Sequence, residues 1–266
     1  MLLLAAVPSS PLADSNQSAS SDTAEIVKTI TPPAPGTSDV SAAVEQPFRV
    51  GESLKFSVQY GPIHAGSAYL EVPEITQVDG RSAYHLVARA ESNAFFSRFY
   101  KVKNLIESRW DSAGHFSLMY SEKRREGGTK AESEIRFNPV TNEARYNDGQ
   151  VYSVPPNVQD ALSAFYFTRF QALPVGGSVV FDYHASRRSQ PLEVRVLGRE
   201  EVHTPAGTFK CVAVEPILKA GGIFKNKGRL VIWLTDDARR VPVQMKSKVA
   251  IGSISVILQS ARFGGG

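Results

Sequence analysis

Five histidines, one cysteine and one pair of adjacent aspartates are the residues whose types could do chemistry here. None of His64, His85, His115, His184 and His203 has a second histidine or a carboxylate at a ligand spacing such as H-x-x-x-H, and each falls in or beside an expected strand. No zinc or other metal site is expected from them. His203, before Thr204-Pro205, reads as a turn residue. Cys211 sits at an apolar position of Thr208-Phe-Lys-Cys-Val-Ala-Val, where a buried, inert thiol is the plainer account than a nucleophile, since no helix start lends it a positive field. Asp236-Asp237 could be a carboxylate pair. Arg239-Arg240 follow at once, and a salt-linked turn explains the four residues more simply. No G-x-S-x-G, G-x-G-x-x-G or G-x-x-x-x-G-K-[ST] motif occurs, so nothing marks a serine hydrolase or a nucleotide site. No catalytic residue and no cofactor are assigned.

Two aromatic segments remain as binding candidates. Asn93-Ala-Phe95-Phe96-Ser-Arg-Phe99-Tyr100 joins two expected strands and is too apolar for a plain connector. It either folds over an open barrel end as a plug or lines an entrance for an apolar ligand. Phe165, Tyr166, Phe167 and Phe170 form the second group, on an expected helix. A stripe of this kind is ordinarily core; the alternative is a ligand cavity. Candidate ligand contacts are therefore Phe95, Phe96, Phe99, Tyr100, Phe165, Phe167 and Phe170.

The elements that must position these groups are mostly strands. Leu54, Phe56, Val58 and Tyr60 alternate with Ser53, Lys55, Ser57 and Gln59, and Ala131, Ser133, Ile135 and Phe137 alternate with Glu132, Glu134 and Arg136. Leu192, Val194 and Val196, then Val241, Val243 and Met245, repeat the pattern. Turn pairs such as Asp79-Gly80, Gly127-Gly128, Asp148-Gly149 and Ala206-Gly207 punctuate it. The fold expected is mainly β: a single antiparallel curved sheet or partly open barrel of about a dozen strands, with one helix packed in the concavity. The apolar run Leu230–Leu234 is expected to be covered on both faces. For the helix, Asn157 serves as cap and Val158, Ala161, Leu162, Phe165 and Phe170 as the buried face, giving roughly 15 residues and about 22 Å before Leu173-Pro174.

Composition bounds the rest. The 266 residues are 42% hydrophobic and 21% charged, which is globular, and no run of about 18 apolar residues forms a membrane-spanning helix. A lone cysteine permits no intrachain disulfide. Residues 1–46 hold no aromatic, 12 Ser/Thr and five acids against Lys28. The remaining body carries 29 of the 30 Lys+Arg and 21 of the 26 Asp+Glu. Leu2–Val7 followed by small residues up to Ala13 resembles the end of a secretory signal, so residues 1–13 are read as a partial signal sequence, 14–46 as a disordered tether and 47–263 as a single β domain. The basic clusters Lys123-Arg124-Arg125, Arg187-Arg188, Lys225–Arg229 and Arg239-Arg240 read as solvated strand edges, with attraction to anionic lipid headgroups or polyanionic polymers as the alternative. Nucleic acid is not expected, because no basic platform interleaved with aromatics is visible.

Phe48-Arg-Val-Gly-Glu52-Ser-Leu-Lys-Phe56, Phe99–Lys103, Tyr120–Glu126, Asp160–Tyr166, Thr204–Cys211 and Leu230–Asp237 with Arg240-Val-Pro242-Val occur in an order that resembles the bacterial domain-of-unknown-function 3108 family over about residues 48–262. The resemblance implies an exported, periplasmic, β-rich, barrel-like protein of the Gram-negative envelope, with no established activity and no catalytic residues to carry over. Its architecture is also similar, at the level of fold, to the periplasmic lipoprotein carriers. Three functions are open at this point. The first is a non-catalytic binding or carrier module for a lipid-like or apolar ligand. The second is a structural or assembly factor for another envelope protein, and the third a hydrolase acting on envelope material.

Overall fold

A computed structural model describes residues 46–218, 229–248 and 252–264. The signal and tether expectations, and Lys225 and Lys227 of one basic cluster, lie outside the described residues. The strands are β1 (Glu52–Tyr60), β2 (Ile63–Val72), β3 (Ile75–Val78), β4 (Arg81–Ser92), β5 (Lys103–Asp111), β6 (Ser117–Glu126), β7 (Thr129–Asn138), β8 (Glu143–Tyr146) and β9 (Val151–Ser153). After the helix α1 (Ser163–Arg169) come β10 (Ser178–Ala185), β11 (Arg188–Thr204), β12 (Gly207–Leu218), β13 (Leu230–Thr235), β14 (Pro242–Lys248) and β15 (Ser253–Arg262).

The strands form one antiparallel sheet in the order β10-β11-β12-β13-β14-β15-β1-β2-β4-β5-β6-β7-β8-β9. Nearly every neighbour in space is a neighbour in sequence, as short turns require. The exceptions are β15, which pairs with β1, and β2, which pairs with β4, leaving β3 to pair only with β4. β2 and β3 are one strand broken at Pro73, which has no N–H for the ladder, and the His85 amide restores contact by donating to Glu74 O (3.0 Å). Register shifts at Lys55/Phe56, Val58/Gln59, Arg109/Trp110, Val196/Gly198 and Trp233/Leu234 bend the strands, and the accumulated twist curls the sheet. Residues from both ends of the ladder therefore share one core: Phe137 and Tyr146 from β7 and β8 with Val194 and Val212 from β11 and β12. The curl stops short of a closed barrel, because no backbone ladder joins β9 to β10.

α1 lies in the concavity. Phe48 packs edge-on to Tyr166 (4.9 Å between centroids) and to Phe170 (5.6 Å), and Phe170 also meets Trp110 (5.5 Å) and His115 (4.6 Å). The helix is seven residues, not the roughly 15 expected. Asn157 takes a left-handed turn (φ 55°) instead of capping, and Gln159 pairs with Tyr183 on the β10 edge. The turn at Asn157 and the bridge at Gln159 occupy the expected first turns, so helix begins only after Asp160, whose Oδ1 accepts from the Leu162 and Ser163 amides (2.7 and 2.8 Å). The run Leu230–Leu234 is not covered on both faces either: Ile232 and Leu234 are buried, whereas Trp233 is half-exposed and its indole N–H donates to Glu200 (2.5 Å).

Candidate functional site

The concavity is filled by side chains. Trp110, Tyr166, Phe56, Leu54, Leu86 and Leu162 are fully buried there. The helix aromatics belong to this packing: Phe165 lies against Tyr166, Phe167 packs edge-on to Phe181 (5.0 Å), and Phe170 is stacked as described above. All three are half-buried.

Most polar groups around α1 are satisfied by one another, the buried Tyr166 hydroxyl being an exception without a hydrogen-bond partner. Asp160 is wholly buried; Ser108 Oγ donates to its Oδ2 (2.6 Å), and its own amide donates to Ser117 Oγ (2.7 Å). Burial pushes the Asp160 carboxyl up, and the bonds from Ser108, Ser163, Ser117 and Leu162 oppose that. Gln159 accepts from Trp110 Nε1 (3.0 Å) and donates to His115 O (2.7 Å). The group fixes α1 to β5 and β6, and no face of it is open to a substrate. Arg169, in the last turn of α1, makes a bidentate pair with Glu52 (2.7 and 2.9 Å) and donates to Pro47 O (2.7 Å) and Arg239 O (3.0 Å). Both partners are buried. This pair was legible in part: Glu52 has the same parity as the inward-facing Leu54 and Phe56, so a charge was bound to need a partner inside.

Beside it, Gln46, Phe48, Asp237, Arg239 and Phe263 border a cleft of about 420 Å³. Its acids are already engaged. Glu52 belongs to Arg169, and Asp237 Oδ1 accepts from the Arg239 and Arg240 amides and from Thr235 Oγ1. Asp236 pairs with Arg199 (2.6 Å) and Arg240 (3.3 Å), so the double aspartate is a salt-linked turn. Cys211 is buried, and desolvation pushes its thiol up to about 12. His203 bonds Thr208 across its turn (2.8 Å). Among the described residues no three of His, Cys, Asp and Glu converge as metal ligands would.

The other aromatic segment is built differently. It joins β4 to β5 at the end of the sheet where the β1–β2 and β6–β7 turns also lie. Asn93 organises it: the side-chain amide donates to His64 O (2.7 Å), and Oδ1 accepts from the Phe96 amide (2.9 Å), starting a single turn of 3-10 helix at Phe96–Arg98. Ser92 Oγ accepts from the Val102 amide (2.9 Å), and the Gly127 amide donates to Lys101 O (2.8 Å). Tyr100 lies on Gly127, where a Cβ would stand 2.8 Å from the ring. Gly127 also has φ +58°, so both space and backbone call for glycine.

Fixed in this way, the loop turns its rings outward. Phe95, Phe99 and Tyr100 are 60%, 76% and 52% exposed, and Ile63 on the neighbouring turn is 51% exposed. Phe96 is half-buried and anchors Phe95 (5.8 Å), which also meets Phe99 (5.6 Å). The rings touch one another rather than filling an end of the sheet. The structure thus separates the seven candidate residues into a packed group, Phe165, Phe167 and Phe170, and an outward-facing group, Phe95, Phe96, Phe99 and Tyr100. Sequence reasoning missed Ile63, which extends the second group; its place beside Gly61-Pro62 at a hairpin tip was the available signal.

A family model described as "Protein of unknown function (DUF3108)" matches residues 55–259. Among solved structures, the chain is similar to a β-barrel-like protein of domain of unknown function DUF1849 from Brucella abortus. The two are 8% identical with a TM-score of 0.57, over 80% of this chain and 98% of that one, a likeness of fold. It also aligns with a candidate lipoprotein from Parabacteroides distasonis (10% identity, TM-score 0.37, 81% of this chain and 98% of that one). A candidate exported protein with YmcC-like fold from Bacteroides fragilis aligns at 13% identity and TM-score 0.29, over 81% and 97%. No curated protein matches.

Proposed function

The chain belongs to the DUF3108 family, a family of unknown function, and from that premise we propose that it is a non-catalytic, exported binding module of the bacterial envelope that holds a lipid-like or apolar ligand. The observation that carries the reading is the outward-facing cluster of Phe95, Phe99 and Tyr100 beside Ile63. Large apolar rings on a loop that is pinned at both ends gain nothing by facing water, and contiguous exposure of this kind marks an interaction site. The helix aromatics Phe165, Phe167 and Phe170 support the scaffold of that reading rather than its contact surface, because each is committed to a neighbour in the packed concavity. Export to the periplasm is part of the proposal, supported by the apolar run Leu2–Val7 followed by small residues up to Ala13.

Mass spectrometry of solvent extracts from natively purified protein tests the reading. A defined lipid or apolar metabolite is expected in the wild-type extract and at several-fold lower yield from a Phe95→Ser/Phe99→Ser variant. Extracts free of such a molecule, together with no uptake of a fluorescent fatty-acid probe by the wild type, would defeat it.

A further inference from the structure

We infer that the aromatic end of the sheet docks on an anionic bilayer surface, the rings entering the headgroup region and a surrounding set of cations facing the lipid phosphates. The inference rests on the reading above and names its partner. Five exposed cations flank the rings: Arg98 and Lys101 within the loop, Lys103 at the start of β5, and Arg125 and Lys130 at the β6–β7 turn. Among the described residues none of the five has an ion pair, unlike Arg81 with Asp111, Arg187 with Asp148 or Arg229 with Glu215 elsewhere. The nearby acids are fewer. Glu91 faces Lys103 in register, and Glu126 is taken up by Asn104, whose amide donates to it (2.7 Å).

One placement is costly for a protein whose only neighbour is water. Arg125 and Lys130 are directly opposite in the β6–β7 ladder, where like charges repel. A second, negatively charged surface relieves that repulsion. A small apolar ligand accounts for the rings alone, whereas rings ringed by unpaired cations match both layers of an anionic membrane interface: aromatic side chains at headgroup depth and Lys/Arg against phosphate. A nucleic acid would ask for the rings to be spaced as stacking platforms, yet Phe95 is packed edge-on to both Phe96 and Phe99.

Sedimentation of the full chain with extruded vesicles tests this, using phosphatidylcholine alone and phosphatidylcholine with phosphatidylglycerol. Wild type is expected to pellet with the anionic vesicles, to leave them as salt is raised, and to bind the neutral ones far more weakly. Each cation near such a surface strengthens attachment roughly five-fold, so Arg98→Gln/Lys101→Gln/Arg125→Gln should weaken it about 100-fold. Phe95→Ser/Phe99→Ser should lose binding to both vesicle types, with its thermal unfolding midpoint unchanged as the check on folding. Equal, salt-insensitive binding to neutral and anionic vesicles overturns the anionic-surface inference and leaves the apolar-contact reading standing. So does the absence of all vesicle binding when a lipid still co-purifies through Phe95 and Phe99. Absence of both brings down the inference and the reading together.

Discussion

Tyr146 on β8 and His184 on β10, 38 residues apart, meet in a 2.9 Å hydrogen bond at the seam where no backbone ladder joins β9 to β10. The Tyr146 hydroxyl shares this bond with Nε2, and Nδ1 shares a second with Ser189 Oγ (2.9 Å), so both ring nitrogens are engaged. The Arg187 amide donates to Tyr146 Oη (2.8 Å), and Phe137 stands edge-on to the imidazole (5.9 Å). Side chains therefore close the seam that backbone hydrogen bonds leave open.

Acid should loosen that seam. Burial depresses the His184 pKa from 6.5 to about 4. The unfolded chain then binds a proton that the folded one refuses, so stability rises with pH between about 4 and 6.5 and is lost as pH falls through that window. The expected contribution is about 2 kcal/mol, allowing for screening at the partly open seam. Urea unfolding from pH 7 to pH 4 should show this slope in the wild type and a flatter one in His184→Gln; identical slopes would count against the assignment.

Removing one member of the Glu52–Arg169 pair strands the other charge among apolar groups. Glu52→Leu or Arg169→Met should each cost about 3–5 kcal/mol, while the double replacement Glu52→Leu/Arg169→Met should recover much of the loss. Denaturant midpoints in a double-mutant cycle measure the coupling, and additive single losses would contradict it.

At Asp160, shape and charge have separate effects. Asp160→Ala removes the acceptor for the Leu162 and Ser163 amides and leaves Ser108 without its partner, an expected loss of about 3 kcal/mol. Asp160→Asn keeps an acceptor oxygen for the Leu162 and Ser163 amides at nearly the same shape, so it should fall within about 1 kcal/mol of wild type. Circular dichroism melts of the two variants distinguish these outcomes.

The Cys211 thiol should resist alkylation. With its pKa pushed up to about 12 and its side chain buried, iodoacetamide at pH 8 should leave the folded protein unlabelled over hours and react fully in urea. Rapid labelling without denaturant would mean that the β12–β13 packing opens.

Loss of the loop rings should cost binding but not stability. Phe95→Ser and Phe99→Ser remove exposed groups, so unfolding free energies should stay within about 0.5 kcal/mol of wild type while uptake of a fluorescent fatty-acid probe drops several-fold. A large stability loss would recast the loop as core.

Much of the fold could be read along the chain. Alternation at Ala131–Phe137 placed inward and outward faces correctly, because a strand's period is local; at Leu54–Tyr60 it held for Leu54 and Phe56, but the bulges at Lys55/Phe56 and Val58/Gln59 break the period, so Ser57 is buried and Tyr60 exposed. The helix was overextended for the complementary reason. Asn157 to Leu162 have acceptable helical pattern, but Gln159 has a strand edge within reach, and pairing with Tyr183 wins over a first helical turn. Of the candidate site, the seven aromatic positions were visible, and their division into packed and exposed groups was not.

By itself the sequence determined an antiparallel meander with one helical interruption, a buried thiol, and a family whose motifs run the length of the body, since all of these depend on residues close to one another. Only the tertiary structure decided that Tyr146 meets His184, that Glu52 finds Arg169 117 residues away, and that Phe99 faces water while Phe170 packs against Trp110 and His115. Local patterning says which side chains need cover; the curvature accumulated over the whole sheet settles which distant segment supplies it, and which rings are left without any.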